Sequence, residues 1–378
     1  MAVRAARAAW APGNSRVQAL ILVGGEGTRL RPLTLTMPKP VLPLVDRPLI
    51  RYMIDWLAHH GVDDVVMACG FLAAGVHDVL GEGGDGGPRL RYVQEPEARG
   101  TAGAIKFAER FLDDRFLALN GDVLTDLDLT ALMRLHEERG ATATLALYPV
   151  DDPSAYGLVR REEDGEIREF LEKPEPDQID TDEISAGAYV LERRVLDLVP
   201  EDCEVSIERE VFPKLVGHGL YGCRLDGYWT DIGTPERYLQ ASWDILERRA
   251  RTDVGERLDE HGLLVEEDAE VASGATLTPP ALIETRTQVA AGARVGARAV
   301  VGTGSEIGER AVIEQSAIHR GCRIGAEAQV RGTILAAGVE VGVGATVEPG
   351  VVVGEGARIA PGATVGEGGR VQPGEEFA

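Results

Sequence analysis

Residues 288–308 read QVAAGARVGARAVVGTGSEIG, and an aliphatic residue stands at every sixth position of this stretch. Gly and Ala fill most of the positions between, as expected of tight corners that leave no room for large side chains. The spacing extends through most of the C-terminal part of the chain, with one step shortened before Ile318 and another before Leu335. The series is Val265, Val271, Leu277, Ile283, Val289, Val295, Val301, Ile307, Ile313, Ile318, Ile324, Val330, Leu335, Val341, Val347, Val353, Ile359, Val365 and Val371.

A six-residue period kept over more than a hundred residues is typical of a solenoid rather than of a Gly/Ala-rich linker, which would not keep register. Three short strands per coil would form a triangular prism with the aliphatic side chains stacked inside. The repeat resembles the left-handed parallel β-helix of the hexapeptide-repeat proteins. The pattern predicts a β-helix over residues 265–372, preceded by a linker over 251–264.

The N-terminal part of the chain alternates strand-like runs with helix-like segments, which predicts an α/β domain over residues 17–250. We expect a Rossmann-like, mixed but mainly parallel sheet, with ligands beyond the carboxyl ends of its strands. Residues 1–16 lack a continuous apolar run and are predicted to form a disordered tail. The strand candidates are residues 17–23, 62–70, 90–95, 115–122 and 141–150, and the helix candidates are 48–61, 102–112, 127–140 and 234–250, the last with Thr234 as N-cap.

Composition narrows the function classes. The 378 residues carry 39 Lys and Arg against 62 Asp and Glu, a net charge of -23 that argues against a nucleic-acid partner. No apolar run is long enough to span a bilayer, so we expect no membrane partner either. The four cysteines are scattered without metal or disulfide spacing, which is typical of thiols in a reducing cytoplasm.

A glycine-rich loop follows the first strand candidate, in the segment VGGEGTRLRPLTLTMPKP at residues 23–40. It lacks the third glycine of a dinucleotide fingerprint and the lysine of a Walker loop. Its three glycines allow the backbone to approach phosphates, Arg29 adds a permanently charged fork of donors, and Lys39 is a point charge between two prolines. The segment therefore predicts a site that holds a triphosphate and neutralises charge on a departing pyrophosphate.

Three further segments carry groups for phosphate and sugar chemistry. Asp122 ends the segment LNGD, and Asp231 lies within WTDIG, so that either carboxylate suits Mg²⁺. Taken singly, each is more often a turn or capping residue. The segment FLEKP offers Glu172 and Lys173 to a sugar phosphate, although alone it reads as a strand end with a solvated ion pair.

Together these motifs resemble the sugar-1-phosphate nucleotidyltransferases, also called NDP-sugar pyrophosphorylases. The resemblance covers residues 17–250, and a hexapeptide-repeat half is common in longer members. Within the family, SIEREVFPKLV at 206–216 and the GTAG segment are most similar to mannose-1-phosphate guanylyltransferases. The motifs, in family order, are GGEGTRLRP with Pro38-Lys39-Pro40, RGTAGAI (99–105), LNGD (119–122), Tyr156-Gly157, EKP (172–174), SAGAYV (185–190) and WTDIG (229–233).

The resemblance implies a role for each matching residue. It assigns catalysis to Arg29, Lys39, Asp122 and Asp231, with the two aspartates as ligands of Mg²⁺. Nucleotide binding falls to Leu22, Gly24, Gly25, Gly27, Thr28, Gln94, Glu95, Gly100 and Thr101, where either Gln94 or Glu95 would read the base. The sugar and its phosphate would be held by Tyr156, Gly157, Glu172, Lys173 and Ser185.

Two departures from the family pattern leave the substrates open. Ser185 stands where members usually have Asn, and the spacing from Gln94 to Gly100 is one residue longer than in thymidylyl- and uridylyltransferases. GTP with mannose-1-phosphate is the expected pair, and dTTP or UTP with glucose-1-phosphate is the alternative. The implied reaction is an in-line attack of the sugar-phosphate oxygen on the α-phosphorus, with no covalent enzyme intermediate.

Two other classes of function remain open from the residues. Hexapeptide β-helices often carry acyl transfer, for which His319, in the insertion beside a shortened step, is the only histidine of the repeat. A non-catalytic regulatory subunit that binds nucleotide sugar is disfavoured because Arg29, Lys39 and both aspartates are present. The ends of a β-helix expose unpaired strand edges, so we expect a homo-oligomer formed through this domain.

Overall fold

The structure, a computed structural model, describes residues 17–70, 73–84 and 86–378. The predicted disordered tail, residues 1–16, lies outside the described residues. The chain divides into two compact units, of which the first contains residues up to Gly25 together with Met53–Trp229, and the second contains Glu26–Tyr52 together with Thr230–Ala378. The division thus falls within the GGEGTRLRP motif, after Gly25, and within the WTDIG motif, after Trp229. No helix in the described part of the chain has the length and apolar character needed to cross a membrane.

The helices and the strands that precede the solenoid include all the candidates named from the sequence. The helices are α1 (Leu49–His59), α2 (Ala73–Leu80), α3 (Gly100–Phe107), α4 (Leu129–Arg139), α5 (Phe212–Leu215), α6 (Pro235–Leu246) and α7 (Asp253–Arg257). The strands are β1 (Val17–Leu22), β2 (Pro43–Leu44), β3 (Arg47–Pro48), β4 (Val62–Cys69), β5 (Arg89–Gln94), β6 (Arg115–Asn120), β7 (Val123–Thr125), β8 (Ala143–Pro149), β9 (Gly157–Arg161), β10 (Ile167–Glu172), β11 (Glu183–Glu192), β12 (Leu220–Arg224) and β13 (Trp229–Asp231).

The first unit is built on a mixed sheet in the order β10-β9-β11-β6-β1-β4-β5, with β8 and β12 attached beside β11. Strands β6, β1, β4 and β5 are parallel, whereas β11 runs antiparallel to both β6 and β8. The Rossmann-like mixed sheet predicted from the sequence is confirmed. Because β1 and β6 are parallel with Leu22 opposite Asn120, the glycine-rich loop and the LNGD segment leave the sheet at the same edge.

The core of the first unit is aliphatic along the central strands and aromatic where the sheet meets α5. The buried rings of Tyr189 and Phe212 lie 5.0 Å apart at 73°, and Phe170 adds a second edge contact to Phe212 at 5.4 Å. Offset and edge arrangements of this kind are favoured by the ring quadrupoles, in addition to the apolar area that they bury. This packing fixes β10 and β11, whose ends carry Glu172 and Ser185.

The solenoid of the second unit contains three sheets of short parallel strands. Its strands are β14 (Leu263–Val265), β15 (Glu270–Val271), β16 (Thr276–Leu277), β17 (Ala281–Ile283), β18 (Gln288–Val289), β19 (Arg294–Val295), β20 (Ala299–Val301), β21 (Glu306–Ile307), β22 (Val312–Glu314), β23 (Ala317–Ile318), β24 (Arg323–Ile324), β25 (Gln329–Arg331), β26 (Ile334–Leu335), β27 (Glu340–Val341), β28 (Thr346–Val347), β29 (Val352–Val353), β30 (Arg358–Ile359), β31 (Thr364–Val365), β32 (Arg370–Val371) and β33 (Glu376–Phe377). Every third strand pairs, so that one coil of three strands lies directly upon the next.

The six-residue lattice is confirmed as the inward face of the solenoid, since its members from Ile283 to Val371 form one buried cluster. The first two members differ from the expectation. Val265 and Val271 are 38% and 37% exposed, because β14 and β15 belong to the first coil and are the edge strands of their sheets within the described structure. The corners take left-handed backbone, as at Gly292 with φ 72°, a conformation that glycine adopts without a steric penalty.

The second unit also holds residues 26–52 and the two helices that precede the solenoid. Thr234 is the N-cap of α6, as predicted, and its hydroxyl accepts from the backbone N–H of Arg237 at 3.3 Å. The segment 251–264, expected to be a linker, contains α7 and the start of β14. Residues 26–52 form short 3-10 turns at Thr28–Leu30, Leu33–Leu35 and Lys39–Val41, followed by the β2–β3 hairpin.

Candidate active-site residues

In the first unit, the ends of β1 and β6 bring the start of the glycine-rich loop, residues 23–25, beside the LNGD segment. The backbone N–H of Gly121 donates to the carbonyl of Leu22 at 2.9 Å. A Cβ on Gly121 would lie 2.6 Å from that carbonyl oxygen, so the contact requires glycine. Gly25 is exposed, and within the described part of the chain no heavy atom beyond its two chain neighbours lies within 4 Å of an ideal Cβ there. Solvent-exposed backbone at Gly24 and Gly25 therefore follows the end of β1, and the half-buried Asp122 follows the end of the neighbouring strand β6.

The predicted base-reading residues lie at the ends of β4 and β5. Glu95 is buried, and its N–H donates to the carbonyl of Cys69 at 3.0 Å, whereas the preceding Gln94 is exposed. Burial raises the pKa of the Glu95 carboxyl, an effect opposed by the nearby Arg99. Arg99 is itself buried, with Nη1 2.6 Å from Asp202 Oδ1. Gln94 thus offers the accessible amide, and Glu95 offers a desolvated carboxyl.

The start of α3 is joined to the segment that follows Val205. Gly100 has φ 67°, and a Cβ there would lie 2.6 Å from the carbonyl oxygen of Val205. The Thr101 hydroxyl donates to Glu208 Oε2 at 2.7 Å and accepts from the N–H of Ile207 at 2.8 Å. The donor and one acceptor position of the Thr101 hydroxyl are therefore engaged within the first unit. This arrangement fixes Glu208, which the sequence reasoning did not single out.

The predicted sugar-phosphate residues gather around the β9–β10 pair of the first unit. A Cβ on Gly157 would lie 3.1 Å from Glu172 Oε2 and 2.5 Å from the Phe170 ring, so this close approach again requires glycine. The N–H of Lys173 donates to the carbonyl of Tyr156 at 2.9 Å. Burial raises the pKa of the Glu172 carboxyl, and the negative charge of Glu208 raises it further.

Tyr189 connects these carboxylates to β6 and to Ser185. Burial raises the pKa of its hydroxyl well above the usual value, with the charge of Glu208 as the next cause. The side chains of Ser185 and Asn120 lie beside this hydroxyl. The first unit thus groups two carboxylates with a buried phenol and small polar groups, a set suited to recognising hydroxyls.

In the second unit, Lys39 is held against the glycine-rich loop. Lys39 is only 8% exposed, and a Cβ on Gly27, whose φ is 61°, would lie 3.1 Å from Lys39 Cβ and 2.9 Å from Thr34 Cγ2. The Thr34 hydroxyl donates to the carbonyl of Gly27 at 2.9 Å. The backbone conformation and the stem of Lys39 therefore both require glycine at position 27, while Thr28 remains exposed on the following turn.

Arg29 and Asp231 border the same glycine in the second unit. An ideal Cβ on Gly233 would lie 2.8 Å from Arg29 Nη2 and 2.7 Å from Asp231 Oδ2. The other carboxylate oxygen of Asp231 accepts from Arg237 Nη1. Two cations therefore lie close to one carboxylate.

Gly233 and Arg237 were missed by the sequence reasoning. Gly233 is the last residue of the WTDIG motif, and this was the only signal in the sequence that could have indicated it. Its close contacts with Arg29 and Asp231 are visible only in the structure. Arg237 is on the first turn of α6, where a basic residue is unusual because it opposes the helix dipole. Among the described residues, no group of three or more His, Cys, Asp or Glu side chains could hold a metal ion.

His319, the candidate base for acyl transfer, lies inside the second unit. It is 7% exposed, and its Nε2 is 3.0 Å from the hydroxyl of Tyr238. Burial lowers the pKa of its imidazole to about 4. A general base must reach its substrate and have a pKa close to the working pH, so the surroundings of His319 do not suit that role.

Comparisons with known proteins agree with this set of motifs. A sequence profile described as nucleotidyl transferase matches residues 18–248, and one described as the EIF2B subunit epsilon LbH domain, a left-handed β-helix, matches residues 260–365. The chain is 39% identical over 290 residues to a mannose-1-phosphate guanylyltransferase from Mycobacterium tuberculosis, covering 74% of this chain and 77% of the relative. It is 34% identical to a protein from Oryza sativa described as a probable mannose-1-phosphate guanylyltransferase 1, and the match covers 88% of this chain and 89% of the relative.

A solved structure resembles the N-terminal part of the chain. It is the structure of a protein from Bacillus anthracis assigned as a glucose-1-phosphate thymidylyltransferase, with a TM-score of 0.55 and 26% identity. The likeness covers 60% of this chain and 94% of the other. With a profile match over more than half of its length and a relative 39% identical over 74% of it, the chain belongs to the nucleotidyl transferase family.

Proposed function

We propose that the chain transfers a guanylyl group from GTP to mannose-1-phosphate, producing GDP-mannose and pyrophosphate. The observation that carries this proposal is the 34–39% identity to mannose-1-phosphate guanylyltransferases over 74–88% of the chain. The nucleotidyl transferase profile supports the reaction class. The two neighbouring carboxylates, Glu172 and Glu208, support a substrate rich in hydroxyls.

In the proposed reaction an oxygen of the sugar-1-phosphate attacks the α-phosphorus of the nucleotide. A new phosphorus–oxygen bond forms in line with the bond to the bridging oxygen, which breaks as pyrophosphate leaves. The attacking phosphate oxygen is already a nucleophile, so the step requires no protein base. Catalysis then depends on alignment of the two substrates and on neutralisation of the charge that develops on the leaving group.

The second unit would supply the cations for this neutralisation. Arg29 presents a planar donor fork, and its position beside Gly233 keeps it close to Asp231. Lys39 contributes a single charge from a buried stem, so its position is better defined than that of a surface lysine. Both are proposed to contact nucleotide phosphates, with the exposed Thr28 and the backbone of Gly27 beside them.

The first unit would supply the binding groups for the base and the sugar. The backbone after Leu22, at Gly24 and Gly25, is proposed to lie along the phosphates, since no atom of the residues that the structure describes, apart from the chain neighbours, lies within 4 Å of an ideal Cβ on Gly25. Gln94 is proposed as the base-reading side chain because it is exposed while Glu95 is buried. Glu172, Lys173 and the backbone of Tyr156-Gly157 are proposed to hold the sugar phosphate, with Ser185 next to Tyr189.

Mg²⁺ is the proposed cofactor. Asp122 and Asp231 are its proposed protein ligands, as the resemblance to the family implies, and carboxylates with phosphate oxygens are the donors that this ion prefers. When bound, the ion would polarise the phosphate oxygens and neutralise part of their charge. The protein itself would hold the carboxylates in place, Asp231 through Arg237.

The chain is further proposed to work in the cytoplasm as a homo-oligomer, with the solenoid contributing to the interface. The four cysteines support a reducing compartment, since all four are free. Burial raises the pKa of the Cys69 thiol and of the Cys322 thiol, each to about 12, which keeps both unreactive.

The experiment that tests the function is a matrix of five nucleoside triphosphates against mannose-1-phosphate, glucose-1-phosphate and other sugar-1-phosphates, with pyrophosphate release as the measurement. We expect GTP with mannose-1-phosphate to give the highest kcat/KM. A preference for dTTP or UTP with glucose-1-phosphate would replace the proposed pair by the alternative. Absence of release with every pair would favour a regulatory subunit.

Two variants test the catalytic residues within that assay. Arg29→Ala and Asp122→Asn should each lower kcat by about 10²-fold or more, the size of loss seen when one preorganised electrostatic group is removed. Circular dichroism should show both variants folded. Near-normal turnover in either variant would remove that residue from the proposed machinery.

A further inference from the structure

We propose that Tyr238 and His319 are positioning residues, forming a buried hydrogen-bonded link through which the solenoid fixes the segment that carries Lys39. The proposal rests on the proposed function only in treating Lys39 as part of the phosphate site. All the residues of the link belong to the second unit. The link joins α6, the β2–β3 hairpin and the coil that begins with β23.

The hydroxyl of Tyr238 is the centre of the link. Tyr238 is 1% exposed, and its hydroxyl donates to the backbone carbonyl of Pro43. The same oxygen lies 3.0 Å from His319 Nε2. A phenol has one proton, so when it donates to Pro43 it can only accept from the histidine. This assigns the Nε2–H tautomer to His319, and a pKa lowered by burial to about 4 keeps the ring neutral.

The backbone of His319 is hydrogen-bonded to both neighbouring coils of the solenoid. The backbone N–H of His319 donates to the carbonyl of Leu335 in the following coil at 2.9 Å. Its carbonyl accepts from the hydroxyl of Ser305 in the preceding coil at 3.2 Å. The ring therefore has a position set by the stacked coils rather than by its own loop, and it can act as a rigid donor.

The other end of the link is four residues from Lys39. The turn Lys39–Val41 is closed by a hydrogen bond from the N–H of Leu42 to the carbonyl of Lys39 at 3.1 Å. Leu42 is held in turn by the N–H of Leu49 at 2.9 Å. Pro43 follows directly and pairs with Pro48 in the hairpin. Because each step is a backbone hydrogen bond or a covalent neighbour, a displacement of Pro43 is transmitted to the Lys39 backbone.

The hairpin has other ties, and these involve different elements. The Tyr52 hydroxyl lies 2.9 Å from both Asp46 Oδ1 and the carbonyl oxygen of Leu44, and Asp46 pairs with Arg257 of α7 at 3.3 Å. Arg47 reaches Asp253 at 3.4 Å. These contacts involve Leu44 and the hairpin tip, whereas the link through Tyr238 acts on the carbonyl of Pro43, one residue closer to Lys39.

The test compares variants that break the link with one that preserves its donor. Tyr238→Phe removes the hydroxyl alone, and His319→Leu removes the donor to it. We expect each to lower kcat about 10-fold or more while changing KM little, since small misplacements of a charge-stabilising group reduce turnover. His319→Gln keeps an N–H donor and should recover kcat to within about threefold of wild type, because it restores that hydrogen bond. The double variant Tyr238→Phe/His319→Leu should lose little beyond Tyr238→Phe, because both act on one link.

The matched control is Thr333→Val, which removes a buried hydroxyl that lies 2.9 Å from the carbonyl oxygen of Arg331 and 3.1 Å from that of Glu348, elsewhere in the solenoid. It should lower the melting temperature and leave kcat unchanged. If Thr333→Val lowers kcat as much as Tyr238→Phe does, or if Tyr238→Phe lowers only the melting temperature, the positioning role is wrong.

A second measurement needs no substrate, and so separates this proposal from the proposed function. The rate at which an amine-acylating reagent modifies Lys39 is followed by mass spectrometry. The buried lysine should react slowly in the wild type, several-fold faster in Tyr238→Phe, and at the wild-type rate in Thr333→Val. Equal rates in all three proteins would overturn the link even if the enzyme makes GDP-mannose. Faster modification in Tyr238→Phe would support it even if another nucleotide is the substrate.

Discussion

Replacing Gly233 by alanine tests the shared position of Arg29 and Asp231. The added Cβ would lie 2.7 Å from Asp231 Oδ2 and 2.8 Å from Arg29 Nη2, whereas ordinary contacts of a Cβ begin at 3.4 Å. The two polar atoms must therefore retreat by 0.7 Å and 0.6 Å (3.4 − 2.7 and 3.4 − 2.8), or the backbone must move by a similar distance. Either response displaces a proposed metal ligand and a proposed phosphate ligand together.

The expected result is a loss of activity without a loss of folding. A misplacement of about 1 Å can lower the rate about 10²-fold, so a displacement of two groups by somewhat less should lower kcat/KM about 10- to 100-fold. The φ of Gly233 is outside the left-handed region, so alanine brings no backbone penalty there. The free energy of unfolding should change by less than about 1 kcal/mol.

The assay is the initial rate of pyrophosphate release with the preferred substrate pair, together with thermal unfolding followed by circular dichroism. Gly366→Ala is the matched control, because an ideal Cβ at that position has no heavy atom of a described residue within 4 Å, chain neighbours apart, and its φ is likewise outside the left-handed region. The control should keep both rate and melting temperature. A Gly233→Ala enzyme within about twofold of the wild-type rate would refute the reasoning, since the crowding would then have no effect on alignment.

Three further predictions concern the sugar site, the pH dependence of stability and the metal. Glu172→Gln should raise the KM for the sugar-1-phosphate about 10-fold and leave the KM for the nucleotide unchanged, since a hydrogen bond to an ionised group contributes about 1.5 kcal/mol or more; an equal rise in both KM values would contradict a role confined to the sugar. His319 has a folded-state pKa of about 4, below its unfolded value of about 6.5, so its contribution to stability is complete above pH 6.5 and is lost as the pH falls towards 4. By pH 5 the loss should be about 2 kcal/mol, and urea titrations of His319→Gln should lack this component. Removal of divalent metal by a chelator should abolish turnover and added Mg²⁺ should restore it, whereas full activity in excess chelator would exclude Asp122 and Asp231 as ligands of an essential ion.

The solenoid was predictable because its information is local and repeated. Each inward position must be aliphatic and each corner must be small, so the six-residue period is visible without any knowledge of long-range contacts. The exposure of Val265 and Val271 was not predictable in the same way. The lattice marks them as equivalent to the other members, and only the position of the first coil in the stack distinguishes them.

Candidate site residues could be named where chemistry and motif coincide, whereas their contacts with residues distant in sequence could not be predicted. Arg29 and Asp231 could be named from their segments, but their common contact with Gly233 joins positions about two hundred residues apart. Glu208 was hidden for the same reason, since its neighbours Thr101 and Glu172 lie on α3 and β10. The tie between Tyr238 and His319 joins a helix to a solenoid coil and leaves no trace in local periodicity.

The pairing of every third strand makes the length of the solenoid adjustable only in whole steps. From Ile283 the aligned positions are Val301, Ile318, Leu335, Val353 and Val371, which gives coils of 18, 17, 17, 18 and 18 residues. A coil added after Val353 would extend the prism by one strand spacing, about 4.8 Å, and would leave the coil of His319 untouched. An insertion of one residue within a strand would instead turn the remaining side chains of that strand to the opposite face. The length of the solenoid therefore changes in steps of one coil, about 4.8 Å. Related chains can have longer or shorter solenoids by whole coils, with no change in the coil that contacts α6.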